Sequence, residues 1–192
     1  MFFVQLRTAL IAFILFSIIT GVLYPLMVTG IAQTLFHEKA QGSLIRSSHG
    51  KILGSSLIGR NFSDPKYFWG RLSAATPAYN ASASSGSNLG PSNPALLEEV
   101  KARIAALKRV DPGNHDPIPV DLVTSSGSGL DPHISPAAAL YQLDRVARAR
   151  RLTPAEVQGI VDQHTQARFL GLLGEPVVNV LEVNLALDRY KK

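Results

Sequence analysis

The chain has 192 residues, with 19 Lys and Arg against 14 Asp and Glu, a net charge of +5, and no cysteine. The missing cysteines exclude structural disulfides, cysteine-based zinc sites and thiol catalysis. The basic residues come in small scattered groups without a basic arm or an aromatic-plus-basic ribbon, which argues against a nucleic-acid partner.

Taken in order, the chain opens on an apolar stretch. Between Arg7 and His37 lie 29 residues without a charge, mostly Leu, Ile, Val, Phe and Ala. Roughly 20 apolar residues are enough to cross a bilayer core, and a helix that is hydrophobic all round is one surrounded by lipid. Tyr24 and Pro25 come late in the run, where an interface anchor and a kink are tolerated. These features predict one transmembrane helix, about Leu6 to Ile31, within an N-terminal segment 1–36. A cleavable signal peptide fits less well, because the run is long and Gly30-Ile31-Ala32 makes a poor cleavage site. Arg7 precedes the helix and Lys39, Arg46 and Lys51 follow it. Since large domains translocate largely regardless of such charges, charge alone leaves the orientation open.

Residues 37–192 suffice for one domain with a real core. From His37 to Arg60, short β-prone runs (Ser43 to Ile45, Ile52-Leu53, Leu57-Ile58) alternate with Gly42, Gly50, Gly54 and Gly59, so short strands or a hairpin are expected. Tyr67, Phe68 and Trp69 form an aromatic cluster that reads as a core anchor beneath a loop. Residues 73–94 are Ser, Ala, Asn, Gly and Pro almost throughout and cannot build a core themselves. Tyr79, Asn80, Asn88 and Asn93 offer hydrogen bonds that a plain linker does not need, so this segment is expected to be an ordered loop held against something else.

Helices follow. Asn93 caps the first, with Pro94 at its first position. Its expected apolar stripe is Leu96, Leu97, Val100, Ile104 and Leu107, and Glu99 precedes Arg103 by four residues on the polar face. Ser135 and Pro136 open a second helix running to about Arg150, with Leu140, Leu143 and Val146 expected to face inward. The arginines of its last turn suit a helix C-terminus. Thr153 and Glu156 form a capping box that opens a third, with Val157, Ile160, Val161 and His164 on one side. In 177–187, Asn179 and Glu182 look like an N-cap pair, while Val178 and Val180 with the alternating leucines also suit a strand. The fold class is therefore α+β: one transmembrane helix, then one domain with short strands and three to four helices.

The stretch 119–136, PVDLVTSSGSGLDPHISP, invites a chemical reading. A β-prone run, a Ser/Gly turn and a helix can form an anion pocket from backbone N–H groups. No Walker lysine and no GxGxxG accompany it. Ser125, Ser128, Asp131 and His133 also suggest a membrane-anchored hydrolase, yet a GxSxG elbow is missing. Metal binding by Asp131 and His133 would need ligands from elsewhere.

Several blocks together carry a family resemblance: Thr20-Gly21 with Tyr24-Pro25-Leu26, Ala32-Gln33, Gly42 to Ile45, Gly54-Ser55 with Leu57 to Gly59, and Tyr67-Phe68 with Gly70-Arg71. Three longer ones are the most specific: SGSNLGPSNP at 85–94, VDLVTSSGSGLDPHISPAAALYQ at 120–142, and LGEPVVNVLEVNLAL at 173–187. Over nearly its full length the chain resembles the C subunit of the Kdp-type potassium-transporting P-type ATPase. Small departures at His37-Glu38, Leu72 and Val177 touch only the last of these blocks.

The resemblance implies a single-pass subunit of the bacterial inner membrane, with its N-terminus cytoplasmic and 37–192 extracytoplasmic. It implies membrane lipid and two protein partners: a channel-like potassium-binding subunit and a P-type ATPase subunit. Potassium is then the transported ion, and ATP enters through the complex. The chain itself is expected to be non-catalytic, needed for assembly, and a catalytic chaperone that raises the ATP affinity of the hydrolysing subunit. A domain outside the membrane cannot touch cytoplasmic ATP, so either the topology is otherwise or the coupling is allosteric, which requires different binding to two states of the complex. The residues expected to face a partner or nucleotide are Ser85, Gly86, Ser87 and Asn88 in the long loop, and Ser125, Gly127, Ser128, Gly129, Asp131 and His133 in the turn.

Overall fold

The computed structural model describes residues 1–190, which divide into two units, Met1–Leu44 and Ile45 onward. The first unit is dominated by a continuous helix, Phe2–Leu35, of 34 residues, with an 18-residue window of mean hydropathy 2.3 and no side chain of that window buried inside the protein. At 1.5 Å per residue it is about 50 Å long, against a hydrocarbon layer of roughly 30 Å. It overruns the Leu6 to Ile31 span at both ends, because a helix needs no hydrophobicity to continue.

Two segments make up this helix, α1 (Phe2–Ile18) and α2 (Tyr24–Leu35), joined by a π-helical turn at Ile19–Leu23. Pro25 explains the wide turn: it has no N–H to donate to the preceding turn and its ring crowds that turn, so the ladder shifts and Tyr24 N–H bonds back to Ile19 O. Thr8, Thr20 and Thr34 donate their hydroxyls to the carbonyls of Val4, Phe16 and Gly30, at 3.0, 2.7 and 2.9 Å. Hydroxyls satisfied within their own helix are the form lipid tolerates. A short helix, α3 (His37–Ala40), follows.

In the second unit, β1 (Leu44–Arg46), which straddles the boundary, pairs with β2 (Ile52–Ser55). Leu57 and Ile58 form a turn and bend, not a third strand. After a long irregular stretch comes α4 (Pro94–Val110), capped by Asn93, whose side chain accepts Ala95 N–H at 3.0 Å. A 3-10 turn at Val120–Leu122 precedes β3 (His133–Ile134) and α5 (Pro136–Arg150). Asp121 on that turn accepts Ser135 N–H at 2.7 Å, and Ser135 in turn caps α5 through Ala138 N–H.

The chain ends in α6 (Pro154–Gln163), β4 (Thr165–Gln166), β5 (Val177–Asn179) and α7 (Val180–Arg189). The Thr153–Glu156 capping box forms in both directions. Residues 177–187 resolve as both alternatives, strand to Asn179 and helix from Val180, with Asn179 accepting Glu182 N–H at 3.2 Å. The small sheet is antiparallel in the order β3-β5-β4, with His133 opposite Asn179 and Thr165 opposite Val178.

The core gathers on α5, α6, α7 and this sheet: Val146, Val157, Val161, Val178, Val183 and Leu187 are all buried, together with Phe68, Trp69 and Leu122. Two inward assignments from helical periodicity are corrected here. Leu97 and Leu140 are exposed, so the apolar stripe of each helix is wider than the surface covering it. Arg103 is also not the partner of Glu99. It turns into the domain, donates to Leu122 O and Gly70 O at 2.9 and 2.7 Å, and lies over the Trp69 ring.

The aromatic cluster is the anchor of this core, and it is irregular backbone. Buried backbone polar groups need partners, and two helix side chains supply them. Asn184 on α7 accepts Phe68 N–H at 2.8 Å and donates to Phe68 O at 2.9 Å. Gln142 on α5 does the same for Trp69, at 2.8 and 3.1 Å. Arg145 on α5 also lies over the Trp69 ring and donates to Pro65 O, Tyr67 O and Gln142 Oε1. Burial pushes its guanidinium down to about 10, so it is still charged at neutral pH. Arg148 pairs with Asp111 and Arg150 with Asp188, so most of the α5 C-terminal arginines are spent inside the domain.

Candidate functional site

The structure brings the two Ser- and Gly-rich segments against each other. The turn is first laid beside the strand-like stretch after the aromatic cluster: Leu72 and Ser125 form a parallel bridge, and Ser126 N–H donates to Leu72 O at 3.2 Å. The 73–94 loop then folds back over the turn. Ser85 N–H and the Ser84 hydroxyl both donate to Ser128 O, at 2.9 and 3.0 Å, and Ser125 Oγ donates to Ser87 Oγ at 3.1 Å. A Cβ on Gly86 would lie 2.8 Å from Gly127 O, so only glycine allows this approach. Gly129, at φ +68°, is equally constrained, since a Cβ there would lie 2.6 Å from Ser85 O. The ordered loop expected from Tyr79 and the asparagines is thus held by the turn, with Ser73 Oγ donating to Gly129 O at 2.6 Å and accepting Tyr79 N–H at 2.9 Å.

Behind the turn sits an ion-paired cluster. Asp131 Oδ1 accepts His133 N–H at 3.0 Å and lies 3.3 Å from His133 Nδ1, while Asp131 Oδ2 lies 3.3 Å from Arg71 Nη1. Arg71 Nη2 donates to Ser125 O at 3.0 Å, which ties the cluster to the turn. Burial pushes the Asp131 carboxyl up, but the hydrogen bonds from His133 and the charges of His133 and Arg71 outweigh it and hold it below its usual value. Tyr79 covers the cluster and donates its hydroxyl to Arg71 O at 2.6 Å. Burial raises this phenol to about 12.

That shift has a sign. An unfolded chain releases the tyrosine proton near pH 10, whereas the folded chain keeps it to about 12, so raising the pH across this window favours unfolding. Stability should therefore fall between pH 10 and 12, and Tyr79→Phe should show a shallower fall in thermal melts over the same range. Equal slopes for the two proteins would contradict the assignment.

Chemically, the arrangement is a rigid polar surface. Ser128 Oγ accepts Leu130 N–H at 3.1 Å and Ser126 Oγ accepts Gly129 N–H at 2.9 Å. With Ser126 N–H and Ser85 N–H also bonded, much of the amide set that could cradle a phosphate is engaged. The serine, aspartate and histidine do not form a relay: Ser125 Oγ is turned to Ser87 and, among the described residues, no serine hydroxyl is hydrogen-bonded to His133. Nor, among the described residues, do three His, Asp or Glu side chains converge as metal ligands.

All ten residues singled out from the sequence fall in the 85–88 and 125–133 segments that meet or adjoin here. Missing from that set were Ser73, which donates to Gly129 O of the turn, Arg71, which holds Asp131 and Ser125 O, and Tyr79, which is hydrogen-bonded to both Ser73 and Arg71. Arg71 lies 60 positions before Asp131, and its neighbours give no local sign of the pairing.

The family model described as "K+-transporting ATPase, c chain" matches residues 6–189. Among similar curated proteins, the "Potassium-transporting ATPase KdpC subunit" of Ralstonia nicotianae is 63% identical over 97% of this chain and 91% of its own length. The protein of the same description from Dechloromonas aromatica is 62% identical over 97% of this chain and 98% of its own. The one from Herpetosiphon aurantiacus is 63% identical over 96% of each. The match spans the apolar helix from residue 6, the Ser/Gly turn and α7, and the chain belongs to the KdpC family, the c chain of potassium-transporting ATPases.

Proposed function

We propose that the chain is the non-catalytic accessory subunit of an ATP-driven potassium uptake pump in the bacterial inner membrane, required for assembly and acting as a catalytic chaperone on the subunit that hydrolyses ATP. The observation that carries this is the family match over residues 6–189, which includes both the uncovered apolar helix and the folded domain. The helix crosses the membrane once with its N-terminus in the cytoplasm. The domain lies outside and meets a channel-like potassium-binding subunit and a P-type ATPase subunit, with the 85–88 and 125–133 segments as a docking surface. Their interlocked backbone supports a preformed surface over a nucleotide cradle.

From outside the membrane, the chain raises ATP affinity only by binding the ATP-loaded state of the complex more tightly than the empty state. Linkage makes this reciprocal, so ATP must tighten the chain's own binding by the same factor. Removing the chain from the purified complex should raise the half-saturating ATP concentration, within the roughly 5–150-fold range of ordinary allosteric coupling. A non-hydrolysable ATP analogue should slow the chain's dissociation correspondingly. No change in either would refute the chaperone role. A C-terminal alkaline phosphatase fusion should be active in cells, and an inactive fusion would put the domain in the cytoplasm, where direct contact with ATP becomes the better account.

A further inference from the structure

Between β4 and β5 the chain forms a hairpin whose tip is entirely apolar and almost entirely uncovered. Phe169, Leu170, Leu172 and Leu173 are 67, 79, 80 and 63% exposed. The tip is nonetheless well ordered by its backbone: Phe169 and Leu173 form an antiparallel bridge, with Phe169 N–H on Leu173 O at 2.8 Å and Leu173 N–H on Phe169 O at 3.0 Å. Gly171 and Gly174 take left-handed conformations at φ +73° and +80°, which glycine permits. Leu170 does so as well, at φ +53°. For a bulky residue that conformation is strained, and the isolated chain gains no burial in return. Asparagine or glycine would serve a free turn better.

Charge and area narrow the choice of occupant. The base of the hairpin is closed by the Arg168–Glu175 ion pair at 2.6 Å, so it presents no net charge. Loops that enter a lipid surface combine apolar side chains with unpaired basic residues or interfacial tryptophan, and neither is present at this tip. Four side chains offer on the order of a few hundred Å², against the roughly 1,200–2,000 Å² that holds two proteins together unaided. A second copy of the chain is therefore a poor occupant, whereas a larger partner that is also engaged elsewhere needs only a local anchor.

We propose that the Phe169–Leu173 tip is a preformed plug that seats in an uncharged apolar pocket on a larger subunit of the pump. This rests on the subunit reading above. It adds a contact point remote in sequence from the 85–88 and 125–133 segments, and one that added salt does not screen.

The test uses the full chain, affinity-tagged and co-expressed with the other subunits, with a photoreactive benzoylphenylalanine at position 172. Illumination of detergent-solubilised membranes should produce an adduct with one larger subunit. A lipid adduct, an adduct with a second copy, or no adduct while the chain still co-purifies would each overturn the proposal. Leu170→Asn, which relieves the strained backbone, should leave the chain at least as heat-stable as before and lower recovery of the complex about tenfold or more at low protein concentration. Unchanged recovery would also overturn it. Failure of the unsubstituted chain to co-purify would instead refute the subunit reading, and this one with it.

Discussion

Replacing Asn184 by leucine should destabilise the domain by about 3–5 kcal/mol. The side chain is fully buried and forms two hydrogen bonds to the backbone of Phe68, one through each end of its amide. Leucine keeps the same branched skeleton but is bulkier, and both the N–H and the C=O of Phe68 are left buried without partners. Each orphaned group costs about 1–3 kcal/mol. For a domain of this size a loss of that order lowers the melting temperature by roughly 10 °C. Thermal unfolding of the full chain in detergent, followed through Trp69, would measure it. A loss below about 1 kcal/mol would mean that the aromatic segment is held by its rings alone.

Gly129→Ala should cost about 2–4 kcal/mol and release the long loop. The left-handed backbone at φ +68° charges a non-glycine residue about 1–2 kcal/mol. The added Cβ would also lie 2.6 Å from Ser85 O and 3.0 Å from Ala75 N. Both are backbone atoms of the 73–94 loop, so relief requires moving that loop off the turn. Thermolysin should then cut between residues 74 and 90 at a rate at which the native chain resists. Gly127→Ala, two positions away, is the control: a Cβ there meets nothing within 4 Å and should be close to neutral. Equal effects from the two substitutions would show that the close loop approach does not matter.

What could be read from the sequence is what is decided locally. Asn93, Ser135, Thr153 and Asn179 all cap the helices they were expected to cap, because a cap involves only three or four neighbouring residues. The apolar N-terminal helix is a matter of composition and was equally legible. Periodicity misled at Leu97 and Leu140, since a stripe shows which side of a helix is apolar and not how much of that side is covered. Glu99 and Arg103 have the spacing of a helical ion pair, yet the arginine is drawn inward by two carbonyls and an indole. The two Ser/Gly segments were visible separately. Their meeting also draws on Arg71 and Ser73, whose partners Asp131, Ser125 and Gly129 are remote in sequence.

The setting of Trp69 has a further consequence. Arg103 and Arg145 stand over its ring at 5.0 and 5.2 Å; carbonyl oxygens hold both, the Gln142 amide also holds Arg145, and among the described residues neither has a carboxylate in direct contact. Carbonyls and indoles do not titrate, so mild acidification leaves these bonds intact, and dissolved ions compete with them poorly. Acidity and ionic strength are therefore weak levers on this part of the core. Its innermost cations are tethered by groups indifferent to both.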